Sequence, residues 1–220
     1  MADFNIEQAR FNMIEQQIRP WDVLDPRILD LVAALPREAF VPEAYRNLAF
    51  ADLNIPLGHG QVMMAPKMEA RMLQALDVGH TDSVLEVGTG SGYVTACLAA
   101  LGGHVFSVEI VPELKYAAQK RLAERGIENV TLRVGDASAG WDPARRYDVI
   151  AVTGSLPMYT DVYQKRLSVG GRLFVIAGQA PIMEALLVTR TAPDGWTRES
   201  LFETDLPPLI NAPAPACFEF

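Results

Sequence analysis

The feature that most constrains this chain is a glycine-rich turn between an apolar strand and an apolar helix. Residues 83–87 form a short apolar run rich in β-branched side chains, which predicts a buried strand. Gly88, Gly90 and Gly92 follow at alternate positions, and the apolar run 93–101 predicts a buried helix. Because glycine lacks a Cβ atom, such a turn can be tight and a ligand can approach its bare backbone. The sequence therefore predicts an α/β fold with a ligand site at this turn.

The spacing of these glycines separates classes of cofactor. A dinucleotide-binding turn reads G-x-G-x-x-G, and a phosphate-binding loop reads G-x-x-x-x-G-K-[ST]. This chain reads E-x-G-x-G-x-G, which resembles motif I of the S-adenosylmethionine-dependent methyltransferases. The resemblance implies S-adenosyl-L-methionine as the cofactor, whereas the plainer alternative is a glycine turn with no cofactor role. The residues that it assigns to the cofactor site are Glu86, Gly88, Thr89, Gly90, Ser91 and Gly92.

Composition limits the kinds of protein that this chain can be. Half of its 220 residues are hydrophobic and 21% are charged, which suits one large core rather than a disordered chain. The net charge of −8 argues against a nucleic acid partner, which normally requires a basic face. Cys97, Cys217 and the three histidines show no metal-ligand spacing, so we expect no metal site. The distant cysteines, and the lack of a basic leader or a long apolar run, favour a cytoplasmic protein with no membrane partner.

The remaining patterns predict a helical N-terminal part and then an alternation of strands and helices. The first part should contain helices at 5–18, 26–35, 43–48 and 66–76. Later strands are expected at 83–87, 104–109, 130–134, 147–153, 172–176, 185–190 and 197–203, with helices at 91–101, 112–125 and 161–167. Alternation of this kind predicts a doubly wound, largely parallel seven-stranded sheet. We expect 1–78 to pack as a helical appendage, with a functional loop at 52–67, on a cofactor-binding domain formed by 79–220. The proline-rich tail 205–220 should be irregular.

Further polar residues fall at the carboxyl ends of predicted strands, where open α/β sheets bind ligands. Glu109 ends the second strand, and its carboxylate can accept hydrogen bonds from both hydroxyls of a ribose. Asp136, followed by Ala137, ends the third strand, where it can accept a hydrogen bond from an adenine amino group. The interval from Gly88 to Glu109 would also suit a dinucleotide fold. The glycine spacing and Asp136, rather than Glu109, therefore disfavour an NAD-dependent oxidoreductase.

Three longer motifs resemble one methyltransferase family. The chain reads P-L-G-H-G-Q at 56–61, V-L-E-V-G-T-G-S-G-Y at 84–93 and G-D-A-S-A-G-W at 135–141. These motifs are similar to those of the protein-L-isoaspartate (D-aspartate) O-methyltransferases, and the likeness begins at I-E-Q-Q-I (14–18) and R-E-A-F-V-P (37–42). It implies a Rossmann-like fold, S-adenosyl-L-methionine as cofactor, and methyl esterification of isoaspartyl residues in damaged proteins.

The substrate loop departs from the pattern of that family. The family usually reads Q-[TS]-[IV]-S-x-P-[HY], whereas this chain reads Q-V-M-M-A-P-K from Gln61 to Lys67. Met64 stands where the family has a hydroxyl residue that contacts the substrate carboxylate, and Val62 replaces a Thr or Ser. Losing such a donor in a dehydrated site costs about 1–3 kcal/mol. Gln61, Met64 and Lys67 are the candidate substrate residues, with Lys67 either an attractive charge or a solvated lysine.

This departure leaves the methyl acceptor open. The sequence suits an isoaspartyl repair enzyme, a methyltransferase of the same fold for another carboxylate or small molecule, and a cofactor-binding protein without methyl transfer. The chain reads T-G-S-L-P at 153–157, so the N-P-P-[YF]-like motif of base and amide N-methyltransferases is absent there. That absence and the acidic net charge disfavour methylation of DNA or RNA.

Overall fold

The computed structural model describes residues 5–215, which form a mostly parallel seven-stranded sheet flanked by helices. The α-helices in this part of the chain are α1 Ile6–Met13, α2 Pro26–Ala34, α3 Pro66–Leu76, α4 Tyr93–Leu101 and α5 Pro112–Ala123. The strands are β1 Ile55–Gly58, β2 Gln61–Met63, β3 Ser83–Val87, β4 His104–Glu109, β5 Val130–Val134, β6 Tyr147–Leu156, β7 Leu167–Gln179, β8 Ile182–Ala192 and β9 Gly195–Thr204. Cys217 and the end of the predicted tail lie outside the described residues.

The sheet has the strand order β5-β4-β3-β6-β7-β8-β9. Its first five strands are parallel neighbours, while β8 and β9 run antiparallel to the strands beside them. The chain moves outward from β3 to β5 and then returns to place β6 on the other side of β3. This reversal is a topological switch point, where an open α/β sheet forms a crevice at the carboxyl ends of its strands. The predicted α/β fold with a largely parallel seven-stranded sheet is confirmed.

The N-terminal part is helical, as predicted: α3 has the expected bounds, whereas the first and third predicted helices are shorter or less regular. Asn5 caps α1 by accepting a hydrogen bond from the amide of Gln8 at 3.0 Å, and α1 ends at Met13. The predicted helix 5–18 continues as a π-helical turn over Ile14–Ile18, and a 3-10 turn follows at Arg19–Trp21. Further 3-10 segments occupy Arg37–Ala39 and Glu43–Leu48, the second of which replaces the predicted helix 43–48.

The stretch 52–67, expected to be a loop, contains an antiparallel hairpin of β1 and β2. Ile55 pairs with Met63 in its register, and the turn between the strands carries positive φ angles at Gly58 (89°), His59 (55°) and Gly60 (72°). Glycines remove the Cβ penalty for such a turn, so the G-H-G sequence permits a hairpin where we expected irregular chain. The hairpin lies over the glycine turn, because a Cβ added at Gly90 would stand 3.2 Å from Cδ1 of Leu57.

Two apolar clusters pack on opposite faces of the sheet. One face packs against the N-terminal helices and α3 to α5 through residues such as Val84, Val105 and Phe174. The other face, with Leu85 and Val175, packs against the connections around β6 and the chain after β9. The alternation of side chains along each strand therefore places the helices on the first face and leaves the second to the connecting segments.

Several element boundaries differ from the sequence predictions. The helix expected at 161–167 is a single 3-10 turn at Gln164–Arg166. Gly170 and Gly171 precede the strand expected at 172–176, yet they lie inside β7, which begins at Leu167 and shifts register there against β6. A Cβ at Gly171 would meet three backbone oxygens at 2.9–3.1 Å, so this glycine serves close strand packing rather than a turn.

Candidate active site

The predicted strand-end residues line one cleft at the switch point of the sheet. It holds about 530 Å³ of space when its solvent-open mouth is included. Its walls come from the glycine turn, the ends of β4, β5 and β6, the hairpin, and the chain after β9. The lining residues are Gln61, Val62, Val87, Gly88, Gly90, Val108, Glu109, Ile110, Gly135, Asp136, Ala137, Ser138, Thr153, Gly154, Leu209 and Ile210.

The glycine turn needs its glycines for two different reasons. All three have positive φ angles, namely 99° at Gly88, 52° at Gly90 and 86° at Gly92, which side chains other than glycine rarely adopt. A Cβ at Gly88 would also lie 2.5 Å from Oγ1 of Thr153, and one at Gly92 would lie 3.0 Å from Cβ of Ala118. The missing side chain at Gly88 therefore leaves room for Thr153 of β6. The missing side chain at Gly92 leaves room for Ala118 of α5. Gly88 and Gly90 expose backbone to the cleft.

A chain of hydrogen bonds beneath the turn holds it from inside the core. The side chain of Glu86 is fully buried, and its Oε2 accepts hydrogen bonds from Thr95 Oγ1 and Ser107 Oγ, both at 2.5 Å. Because Ser107 uses its hydrogen on Glu86, the 2.6 Å contact between Thr89 and Ser107 has Thr89 as the donor. Burial raises the pKa of Glu86 to about 8, despite these hydroxyl donors. Thr89 and Glu86 therefore support the turn rather than project into the cleft.

Glu109 is buried at the end of β4 and lies against the turn. Its Oε2 accepts a hydrogen bond from the amide of Gly90 at 2.8 Å, and its Oε1 accepts one from the amide of Val111 at 3.0 Å. Each carboxylate oxygen has two acceptor positions, so these bonds orient the group and leave capacity for hydroxyl donors. Glu109 lines the cleft as predicted.

Asp136 follows β5 and is held by two donors from different parts of the chain. Its Oδ1 accepts a hydrogen bond from the amide of Ser138 at 2.9 Å, and its Oδ2 accepts one from Nδ2 of Asn211 at 2.8 Å. Hydrogen bonds from Ser138 and Asn211 lower the pKa of Asp136. The carboxylate is therefore ionised near neutral pH and oriented at the cleft wall, with Ala137 beside it.

The chain after β9 forms one wall of the cleft. Ser155 in β6 accepts from the amide of Leu209 at 2.9 Å and donates from its own amide to the carbonyl of Pro207 at 3.0 Å. The side chain of Leu209 packs against Gly154, where a Cβ would lie only 2.6 Å from Cδ2 of Leu209. The first half of the predicted irregular tail is thus anchored to β6 and covers the site.

A smaller cavity adjoins the cleft beneath the hairpin. It shares Val62, Gly88, Gly90 and Thr153 with the cleft and is otherwise lined by Met63, Met64, Glu69, Thr89, Ser91 and Val94. Met64 is 3% exposed, so its side chain packs beneath the hairpin and forms part of the cavity wall. Burial raises the pKa of Glu69, while the charge of Arg37 opposes that rise.

The three predicted substrate residues separate in the structure. Gln61 lines the cleft and Met64 lines the smaller cavity. Lys67 faces elsewhere, since its Nζ forms an ion pair with Asp52 at 2.7 Å and lies 4.4 Å from the ring centre of Trp21. Lys67 lines neither cavity, and its observed contacts are those of a surface ion pair.

Residues 5–215 lack two features that would indicate other kinds of site. Within this range we find no group of three or more His, Cys, Asp or Glu side chains that could hold a metal ion. No helix in the same range is long and apolar enough to cross a membrane.

Comparisons with known proteins identify the family. A family model described as protein-L-isoaspartate(D-aspartate) O-methyltransferase matches residues 8–200. A protein-L-isoaspartate O-methyltransferase from Magnetococcus marinus is 40% identical over 205 residues, which cover 93% of this chain and 90% of that protein. One from Ignicoccus hospitalis is 36% identical over 209 residues, which cover 94% and 99%. The chain belongs to the protein-L-isoaspartate O-methyltransferase family.

Solved structures show that the fold is also that of this family. A candidate protein-L-isoaspartate O-methyltransferase from Plasmodium falciparum, solved with S-adenosyl-L-homocysteine, superposes with a TM-score of 0.77 at 17% identity and covers 94% of this chain and 99% of that one. A second protein-L-isoaspartate O-methyltransferase gives a TM-score of 0.74 at 24% identity and covers 93% of this chain and 65% of that one. These likenesses support the fold of the present family member across nearly the whole chain.

The structure of this family member adds residues that its sequence alone did not single out. Asn211 reaches Asp136 across 75 positions, and Ser107 links Glu86 to the glycine turn. Ser107 leaves a trace in the sequence, because it is a hydroxyl residue between the apolar neighbours Phe106 and Val108 in a buried strand. Asn211 leaves no comparable trace, because its role depends on where the chain returns after β9.

Proposed function

We propose that this protein transfers a methyl group from S-adenosyl-L-methionine to the carboxylate of isoaspartyl residues in proteins. The observation that carries the proposal is the cleft in which Gly88, Gly90, Glu109 and Asp136 converge beside the cavity under the hairpin. Membership of the protein-L-isoaspartate O-methyltransferase family supports it, because the relatives at 36–40% identity carry that name.

The cleft residues fit the proposed cofactor. The bare backbone of the glycine turn admits a ligand where a Cβ would narrow the space, and two oriented carboxylates stand at neighbouring strand ends. Glu109 would accept from the ribose hydroxyls and Asp136 from the adenine amino group, since both carboxylates retain acceptor positions. When bound, S-adenosyl-L-methionine supplies a sulfonium methyl group that is already electrophilic.

The proposed reaction requires no general base from the protein. A carboxyl group with a reference pKa of about 4 is ionised at pH 7, so the acceptor oxygen needs no general base. The protein must therefore align the acceptor with the methyl group and exclude water. The hairpin suits this task, because Gln61 and Val62 line the cleft and Met64 lines the adjoining cavity.

The decisive experiment compares two peptides that differ only at one residue. The protein is incubated with methyl-labelled S-adenosyl-L-methionine and either an isoaspartyl peptide or its aspartyl twin, and base-labile methyl ester is counted. We expect ester on the isoaspartyl peptide alone. Equal labelling of the two peptides, or none on either, would contradict the proposal.

One observation favours a second candidate, a methyltransferase of the same fold that acts on another carboxylate or on a small molecule. The hairpin side of the smaller cavity is lined by Val62, Met63 and Met64, none of which carries a hydroxyl. Met side chains adapt to apolar surfaces of varied shape. An acceptor with an apolar group next to its reactive atom would fit this wall better than a charged one.

Replacing Met64 by Ser and by Ala separates these candidates. If the acceptor is an isoaspartyl carboxylate, Met64→Ser restores a donor and should raise kcat/KM by about tenfold over Met64→Ala, since such a bond is worth about 1–3 kcal/mol. Both variants remove the same buried volume, so Ala is the matched control for the cavity. Equal kcat/KM values in the two variants would favour the second candidate.

The finer expectations about partners and location are part of the same proposal. The net charge of −8 supports the absence of a nucleic acid partner. The buried free thiol of Cys97 supports a reducing, cytoplasmic compartment. A third possibility, a cofactor-binding protein without methyl transfer, would be shown by calorimetric binding of S-adenosyl-L-methionine without labelling of any protein in a cell extract.

A further inference from the structure

The peptide group between Met64 and Ala65, which directly follows the β1–β2 hairpin (the substrate hairpin), is held at both of its polar ends. The carbonyl of Met64 accepts a hydrogen bond from Nη2 of Arg37 at 2.6 Å. The amide of Ala65 donates to Oδ1 of Asn54 at 3.0 Å. That carbonyl and that amide belong to the same planar peptide unit. Two donor–acceptor contacts on opposite edges therefore set the orientation of the plane that follows Met64.

Arg37 is well suited to hold this peptide from inside the protein. Its side chain is 1% exposed, and its Nε donates to Oε2 of Glu69 at 2.9 Å. Its Nη1 donates to the carbonyl of Ala49, and its guanidinium lies 5.6 Å from the ring centre of Tyr93 at the start of α4. The planar guanidinium of arginine carries several N–H donors and can bind all of these acceptors at once. A lysine ammonium is a single charged group on a flexible chain and cannot reach them together.

The clamped peptide lies beside the proposed reaction site. Met64 and Glu69 line the smaller cavity, which shares Gly88 and Gly90 with the cofactor cleft. Glu69 also orients Arg37, so the cavity wall and the clamp share a residue. A tilt of the clamped plane would move the backbone of Met64 relative to the glycine turn, where the acceptor must meet the methyl group.

We propose that Arg37 and Asn54 are positioning residues for methyl transfer, which act by clamping the Met64–Ala65 peptide and so hold the substrate hairpin over the glycine turn. The expected effect on the rate of methyl transfer rests on the proposed function. The clamp itself rests only on the observed hydrogen bonds. A residue that served folding alone would alter stability without changing how the acceptor is aligned. Methyl transfer depends on alignment, and a misplacement of about 1 Å can cost about 100-fold in rate.

The clamp is tested directly by amide hydrogen exchange, without any enzymatic assay. The amide of Ala65 is followed in the wild type and in the variants Arg37→Lys, Asn54→Ala and Asn54→Asp. We expect exchange to accelerate by at least about tenfold in both Arg37→Lys and Asn54→Ala. Asn54→Ala removes the acceptor of the Ala65 amide, and Arg37→Lys frees the clamped peptide to open locally. Asn54→Asp keeps an acceptor oxygen and should keep exchange slow.

Arg190→Lys is the matched control for loss of a buried guanidinium. Arg190 is 7% exposed and donates to the carbonyls of Leu167, Ala192 and Pro193, away from both cavities. Its replacement should leave exchange at Ala65 unchanged. Unaltered exchange at Ala65 in both Arg37→Lys and Asn54→Ala would overturn the clamp.

Kinetics with the isoaspartyl peptide test the positioning role. Arg37→Lys and Asn54→Ala should lower kcat/KM by about 10–100-fold, while the Kd of the cofactor stays within about twofold. Asn54→Asp should restore kcat/KM, and Arg190→Lys should retain it. A similar kinetic loss in Arg190→Lys, or a loss explained by weaker cofactor binding, would overturn the positioning role. If the wild type forms no ester, the proposed function fails, and hydrogen exchange still decides the clamp.

Discussion

Glu86 shows how burial can change the chemistry of a single side chain. It occupies a fully buried position in β3, and its Oε1 has no hydrogen-bond partner among the described residues. Burial disfavours the charged form, so the pKa rises to about 8 and the carboxyl group is mostly neutral at pH 7. A protonated carboxyl can remain in the core and still accept from Ser107 and Thr95.

This raised pKa predicts a stability that falls as pH rises. The folded state keeps the proton of Glu86 up to about pH 8, whereas the unfolded chain releases it near its reference value of 4.5. Between these values the folded state binds more protons, so the free energy of unfolding decreases with pH by up to about 1.4 kcal/mol per pH unit. Glu86→Gln cannot ionise and should remove this component.

Urea unfolding of wild type and Glu86→Gln from pH 5 to pH 8 measures the effect. The difference in the free energy of unfolding between the two proteins should shift in favour of the variant as pH rises. A difference that stays constant with pH would mean that Glu86 is ionised in the folded protein.

Lys67 illustrates a limit of argument at the residue scale. Its position in the motif places it at the end of the substrate segment, but its side chain pairs with Asp52 and covers Trp21. Four flexible methylene groups let a lysine reach any of several partners, so its position in the chain says little about its contacts.

At the scale of elements, the glycine turn works as a junction between two strands and two helices. Gly88 contacts β6, because Oγ1 of Thr153 in that strand donates a hydrogen bond to the carbonyl of Gly88 at 2.6 Å. Gly92 packs closely against Ala118 of α5, and the carbonyl of Ser91 accepts a hydrogen bond from Nη1 of Arg121 in the same helix at 3.2 Å. The turn is therefore held by neighbours on several sides, which leaves its open side for a ligand.

Replacing Gly88 by Ala should damage the cofactor site more than the fold. Alanine at this position would have to adopt a φ angle near +99°, which is strained for any residue with a side chain. Its Cβ would also lie 2.5 Å from Oγ1 of Thr153, so the turn must shift. We expect cofactor affinity measured by calorimetry to fall by at least about tenfold, because the displaced backbone forms the floor of the cleft.

Gly126→Ala provides the control for conformational strain. Gly126 also has a positive φ of 66°, but a Cβ there would meet no atom within 4 Å, and the residue lies outside the cleft. This variant should lose about 1 kcal/mol of stability and keep its cofactor affinity. Equal losses of affinity in both variants would show that Gly88 has no specific role at the site.

At the scale of the whole molecule, the segment after the last strand forms part of the wall of the proposed cofactor cleft. After the last strand, residues 206–209 hydrogen-bond to β6 at Ser155, and Leu209 and Ile210 become part of the cleft wall. The N-terminal helices join the same apolar cluster as α3 and α4. The division of the chain into parts 1–78 and 79–220 stays a prediction.

Truncation tests the contribution of the returning chain. Removal of residues 207–220 takes away Leu209, Ile210 and the amide of Asn211, so we expect cofactor affinity to fall by about tenfold or more. Removal of 213–220 leaves those contacts in place and should preserve affinity. Calorimetry on both proteins, with thermal unfolding to confirm folding, distinguishes the outcomes. Unchanged affinity in the shorter protein would contradict the role of this segment.

Local pattern predicted the parallel half of the sheet well. The bounds of β3, β4 and β5 agree with the sequence predictions, because each is a short segment rich in β-branched or aromatic residues. The hairpin of β1 and β2 and the path of the chain through Gly170 and Gly171 were missed. Both depend on pairing between strands, and glycine is compatible with a turn, a bulge or a close approach.

The sequence by itself determined the strand–turn–helix element, the positions of Glu109 and Asp136 at strand ends, and the family. These follow from spacing along the chain, which parallel strands convert into proximity at one edge of the sheet. Only the tertiary structure decided that Asn211 holds Asp136, that Lys67 faces Asp52, and that Arg37 and Asn54 hold the peptide after the hairpin. The physical reason is distance in sequence: such contacts depend on how separate segments pack, and no local pattern records that packing.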